Sequence, residues 1–93
     1  MNLDMTRRYA KLTELETEQV PDGYVIYQSA REKVFFLNTT AAVILELCDG
    51  QHTLEEIATI LVAAYELDEL PKGAFRKSVS NLINEGLIVP CQE

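Results

Sequence analysis

The stretch Phe35-Phe36-Leu37-Asn38-Thr39-Thr40-Ala41-Ala42-Val43-Ile44-Leu45-Glu46-Leu47-Cys48-Asp49-Gly50, with Thr53-Leu54-Glu55-Glu56-Ile57 close behind it, decides the fold. Its aromatic start reads as the end of a strand. Asn38 and Thr39 follow with side-chain oxygens that can accept the unpaired N–H groups of a first helical turn. Ala42, Val43, Ile44, Leu45 and Leu47 make that helix apolar around much of its girth, so it is expected to be largely buried. Gly50 is the expected left-handed stop. Thr53 and Glu56 then form a capping box, each able to bond the other's backbone N–H, and open a second helix.

Upstream, Tyr24-Val25-Ile26-Tyr27-Gln28 is rich in β-branched and aromatic residues and reads as a strand. Ser29-Ala30-Arg31-Glu32 reverses the chain, and Lys33 to Leu37 is the return strand of a hairpin. Pro21-Asp22-Gly23 is a turn signal, because proline presets φ and glycine accepts positive φ. Tyr9 to Leu15 alternates well enough for a first strand, and Glu14, Glu16, Glu18 and Pro21 mark a loop. Downstream, Leu54, Ile57, Ile60, Leu61 and Ala64 form one apolar stripe on the second helix. An acidic connection, Glu66 to Leu70, precedes Pro71, which suits the first turn of a third helix running from about Gly73 to Glu85. Phe75, Val79, Leu82 and Gly86 share a face, Gly86 reads as a C-terminal cap, and Leu87-Ile88-Val89 as a short strand. The expectation is an α+β fold, a three-stranded antiparallel sheet followed by three helices, winged-helix-like. Residues 1–93 form a single domain, with 1–6 and 91–93 frayed.

No apolar run approaches the roughly 20 residues that span a bilayer. Arg7 and Arg8 are followed by no apolar region, so a secretory signal is not expected and the cytoplasm is the default location. The net charge of −7 argues against nucleic acid, whose binders need cations to displace counterions. The cations are concentrated. Arg7, Arg8 and Lys11 lie near the start, Arg31 and Lys33 at the hairpin, and Lys72, Arg76 and Lys77 in the third helix; Val34 to Pro71 carries none.

The residues for catalysis are missing. His52 is the lone histidine, in an expected solvated turn, and no cluster of His, Cys and carboxylate has the spacing of a metal site. The glycines form no phosphate loop, and Ser29, Ser78 and Ser80 have no base nearby in sequence. Cys48, near the end of an apolar helix, is expected to pack as a small hydrophobe. Neither an enzyme nor a cofactor site is expected.

Period two puts Lys33, Phe35 and Leu37 on one face of the return strand and Val34 and Phe36 on the other. An edge strand leaves N–H and C=O groups free to accept another strand, so an extended peptide could add there and use pockets beside it. With successive helical residues turning about 100°, Arg76, Ser80 and Ile83 cluster on one flank of the Phe75/Val79/Leu82 stripe. An apolar Ile83 beside a cationic Arg76 suits a peptide with one hydrophobic anchor and one acid. The plainer alternative is that Phe35 and Leu37 only fill the core while Arg31 and Lys33 only guard the edge.

The Leu37-Asn38, Cys48-Asp49-Gly50 and Thr53-x-x-Glu56-Ile57 pieces, in this order of elements, resemble the PqqD-like proteins of pyrroloquinoline quinone biosynthesis over about Arg8 to Val89. The resemblance implies a non-catalytic peptide chaperone. Such a protein holds the leader of a ribosomally made precursor peptide as an added strand and presents it to a radical S-adenosylmethionine modifying enzyme. By position, the peptide would meet Lys33, Val34, Phe35, Phe36 and Leu37 on the strand and Arg76, Val79, Ser80 and Ile83 on the third helix. Phe36 stands where members of the quinone pathway often carry a polar residue, so a related peptide product is also open. The protein is expected to be a monomer or weak dimer. Two other functions share the element order: a winged-helix DNA-binding or protein–protein regulator, and a structural subunit that steadies an enzyme.

Overall fold

The structure, a computed structural model, describes residues 3–91. The chain forms strands β1 (Arg8–Lys11), β2 (Leu15–Val20) and β3 (Gly23–Gln28). A single 3-10 turn (Ser29–Arg31) leads to β4 (Lys33–Leu37) and helix α1 (Thr39–Leu47). Then come β5 (Asp49–Thr53), α2 (Leu54–Ala64), α3 (Lys72–Asn84) and β6 (Ile88–Pro90). The class is α+β, with two antiparallel three-stranded sheets and three helices.

The expected sheet ahead of the helices is present as β2-β3-β4. Its membership corrects the sequence reading. The segment Glu14 to Pro21, expected as a loop, supplies β2, every residue of which pairs with β3. The expected Tyr9–Leu15 strand is shorter, Arg8–Lys11, and belongs to the other sheet, where it lies between β5 and β6. β2 was hidden because Glu16, Thr17, Glu18 and Gln19 are exposed and carry no apolar alternation.

The β2–β3 turn depends on Gly23. Its φ is +155°, and a side chain there would collide with the Leu37 carbonyl of β4. Side chains along this sheet alternate between the two faces. Ile26, Gln28 and Leu37 are buried beneath α1, while Tyr27, Val34 and Phe36 face outward.

Asn38 caps α1, its Oδ1 accepting from the Ala41 N–H at 2.8 Å. The helix buries Ala41, Ala42, Ile44 and Leu45 as its composition requires. It stops at Leu47 with Cys48 as cap, and Gly50, expected to stop it, lies in β5 at φ +81°. β5 also contains His52, expected in a turn. The Asp49 carboxylate accepts from the backbone N–H of Gln51 (2.8 Å) and His52 (3.2 Å) and faces His52 Nδ1 at 3.0 Å. These bonds, the one from Gln51 first, hold the Asp49 carboxyl below its usual pKa.

The capping box closes as expected, with Thr53 N–H donating to Glu56 Oε1 at 2.8 Å and Glu56 N–H to Thr53 Oγ1 at 3.1 Å. α2 buries Leu54, Ile57, Ala58 and Leu61, while Ala64 of the expected stripe is exposed. Pro71 sits at the cap position before α3 and gives its carbonyl to the Phe75 N–H at 3.0 Å. At the other end Gly86 (φ +73°) makes the expected stop. Its N–H bonds the Ile83 carbonyl, and that of Leu87 bonds Leu82, both at 3.0 Å. Helices α2 and α3 followed by β6 keep the winged-helix order, β6 pairing back onto β1.

Of the termini expected to fray, residues 1, 2, 92 and 93 lie outside the described residues. Leu3 and Met5 pack against the core, the Met5 carbonyl accepts from Glu55, and the Arg8 carbonyl from Cys91. One core spans both sheets and all three helices, with Ile26, Ile44, Leu54, Ile57, Val79 and Leu87 fully buried. No helix among the described residues is long and apolar enough to cross a membrane.

Candidate functional site

β4 hydrogen-bonds β3 along one side and is the last strand of its sheet, so its outer edge is open. The five residues expected to meet a peptide differ in what they present. Lys33 is exposed, Phe35 half-buried above the core, and Leu37 buried. Val34 and Phe36 point to the other face and are 64% and 61% exposed. With β3 paired along one side, alternate residues of the five direct N–H and C=O to the open edge. Their side chains split as period two requires, Phe35 and Leu37 toward the core side.

Two contacts tie the segments flanking β4 to α3. Before the strand, the Arg31 guanidinium lies against Gly86 at the end of α3, with Nη1 2.6 Å from where a Cβ on Gly86 would sit. After it, Thr40 shares an apolar hollow of about 400 Å³ with Ala74 and Phe75 at the start of α3, together with Leu61, Tyr65 and Leu67. The strand and the helix therefore run in opposite directions. Ala74 and Gly86 are joined along α3 by the i, i+4 row Ala74–Ser78–Leu82–Gly86, of which Leu82 is buried.

The four residues expected on α3 differ in burial. Val79 is fully buried and belongs to the core. Ile83 is half-buried and packs on the core, and Ser80 is half-buried. Arg76 is exposed and lines a different hollow, of about 360 Å³, with Leu3, Met5, Leu70, Lys72 and Phe75. No β4 residue lines either hollow. Sequence reasoning did not single out Ala74, which lines the hollow shared with Thr40, because a helical wheel shows which stripe is buried but not which flank faces which neighbour. The cations nearest the peptide edge are Arg31 and Lys33, at the start of β4.

Gln28, across from Lys33 in register, is 3% exposed, and its Oε1 has no hydrogen-bond partner. Cys48 is buried as expected, and burial pushes its thiol up to about 12. Cys48 and Cys91 are both free thiols.

Residues 23–88 match the family model for coenzyme PQQ synthesis protein D (PqqD). A PqqA binding protein from Methylococcus capsulatus is 34% identical over 85 residues, covering 91% of this chain and 88% of the relative. Among solved structures, lasso peptide synthetase B1 complexed with the leader peptide superposes with a TM-score of 0.67 at 23% identity, over 89% of this chain and 99% of that one. The last likeness is one of fold.

Proposed function

We propose a function from one premise: the chain belongs to the PqqD family, coenzyme PQQ synthesis protein D. It acts as a single-domain, non-catalytic peptide chaperone of the cytoplasm. It binds the leader of a ribosomally made precursor peptide by strand addition and presents it to a radical S-adenosylmethionine modifying enzyme. The product is pyrroloquinoline quinone or a related peptide natural product. The observation that carries this reading is the open edge of β4, whose flanking residues Arg31 and Thr40 come against the end and the start of α3. A peptide laid there completes the backbone hydrogen bonds of β4 and sets alternate side chains against Phe35 and the α3 wall.

Lys33 to Leu37 contribute mainly through their backbone. The wall is the Ala74–Ser78 row, with Val79 and Ile83 backing it from the core. Arg31 and Lys33 place positive charge at one end, suited to an acidic residue of the leader. Arg76 and Ser80, on the neighbouring flank, are reached only by a peptide that crosses the helix. Two apolar anchors at roughly 1.5–3 kcal/mol each and several backbone bonds, less the cost of ordering a flexible peptide, leave about −8 kcal/mol, which is micromolar binding.

The test is a titration of isotopically labelled protein with the leader of the short peptide encoded beside it, followed by amide shifts. Shifts centred on β4 and α3 are expected. Shifts confined to another surface, or none at near-millimolar peptide, overturn the proposal.

A further inference from the structure

The β2-β3-β4 sheet has a second face that the peptide groove does not use. Strand register places Glu16, Tyr27 and Val34 in one row across it and Glu18, Val25 and Phe36 in the next. The opposite face of the same strands packs under α1. On the outer face Val34 and Phe36 of β4 are the most exposed large hydrophobics of the described residues, and Tyr27 of β3 is exposed beside them. Contiguous apolar surface of this kind, rimmed by charge, marks a place where another protein sits. The rim is of one sign, since Glu16 and Glu18 flank the patch along β2 and no lysine or arginine falls on either row.

We infer that this outer face is the docking surface for the modifying enzyme, and that the enzyme presents to it an apolar centre with a lysine or arginine rim. The inference rests on the proposed function for the existence of such a partner and adds where it binds. Charge selects the occupant. A second copy of this chain would set Glu16 and Glu18 against their own equivalents in a protein of net charge −7, and like charges across a contact oppose it. Anionic membrane surfaces and nucleic acid are opposed by the same carboxylates.

The geometry also gives the arrangement a purpose. A leader strand added to the edge of β4 extends the outer face by one more row, because its alternate side chains project there beside Val34 and Phe36. The enzyme then touches chaperone and peptide on one continuous surface, with the groove and the docking face on opposite sides of a single strand.

The experiment measures two affinities for each protein, one for the leader peptide and one for the purified radical S-adenosylmethionine enzyme encoded beside this chain. The proteins are the wild type, the double variant Val25→Thr/Tyr27→Thr, which keeps β-forming residues and lies on β3, outside the peptide-binding strand, and Glu16→Lys/Glu18→Lys. Thermal melting confirms folding of each. The expected result is leader affinity within twofold throughout and enzyme affinity at least tenfold weaker in both variants. The charge variant should also flatten the dependence of enzyme binding on salt. Unchanged enzyme affinity, or no enzyme binding by the wild type, overturns the inference while leaving leader binding intact. Leader affinity falling in parallel assigns the face to the peptide and overturns it too. A wild-type dimer in sedimentation that Val25→Thr/Tyr27→Thr abolishes assigns it to a second copy. Failure of the wild type to bind any leader strikes the proposed function itself and is read on the other axis.

Discussion

The guanidinium of Arg31 occupies the space that a side chain at position 86 would need, so Gly86 is required both by its φ of +73° and by its neighbour. The cation also lies at the C-terminal end of α3, where the helix dipole favours positive charge. Gly86→Ala is expected to cost about 1–2 kcal/mol for the left-handed backbone alone, and more because Arg31 must move. A melting temperature lower by about 4–8 °C per kcal/mol is the readout. An unchanged melting temperature would mean that α3 ends differently in solution.

The two flanks of α3 can be told apart by substitution. Ser78→Trp places a bulky side chain on the Ala74–Ser78 row of the proposed wall and should weaken leader binding at least tenfold. Arg76→Glu changes a residue of the hollow lined by Leu3 and Met5 and should alter it less than threefold. Isothermal titration measures both, and the reverse ranking would move the groove to the Arg76–Ser80 flank.

Gln28 keeps a buried carbonyl oxygen without a partner, a situation that costs about 1–3 kcal/mol. Methionine has similar length and no such requirement. Gln28→Met should therefore raise the denaturation midpoint, with an unchanged slope against denaturant. A lower midpoint would show that the amide is bonded after all.

Thr53 ends β5 and caps α2 at once, so Thr53→Ala removes one bond from the capping box of an otherwise intact helix. A loss of about 1 kcal/mol is expected. The box also has a pH signature. Bonding from the Thr53 N–H holds the Glu56 carboxyl below its usual pKa, and bonding from Gln51 and His52 does the same for Asp49. A depressed carboxylate stabilises the fold fully above its unfolded pKa, near pH 4, and less as pH falls through the folded value. Melting temperature measured from pH 6 downward should decline below about pH 4, and less steeply in Glu56→Gln.

Cys48 is fully buried and its thiol is pushed up to about 12, whereas Cys91 is half-buried. Maleimide at pH 7.5 should label Cys91 alone in the native protein and both cysteines in denaturant, as read by mass spectrometry. Native labelling of Cys48 would show that the end of α1 opens readily.

Local chemistry was legible in the chain. Asn38, the Thr53/Glu56 box and Gly86 each act within four residues, so their roles could be read from spacing. The apolar strands β3 and β4 could be read for the same reason. β2 and β5 could not. Glu16-Thr17-Glu18-Gln19 and Asp49-Gly50-Gln51-His52 have little strand character, and both segments extend because a distant partner offers them a ladder. The groove was half legible. The period of α3 identified its buried stripe, but the flank beside β4 depends on where Arg31 and Thr40 come to rest, which no local pattern records.

β1 lies between β5 and β6, pairing residue 9 with residue 90 across nearly the whole chain. The β2-β3-β4 meander needs only neighbouring segments, so it can assemble early. The other sheet must wait, because its middle strand is made first and its last strand near the end. During synthesis the open edge of β4 can therefore exist before the body that supports it is closed, and closure of loops this long slows folding. A nascent chain with β4 exposed and β6 still unmade is the species most exposed to unwanted strand pairing, and the rate at which β6 reaches β1 sets how long that window lasts.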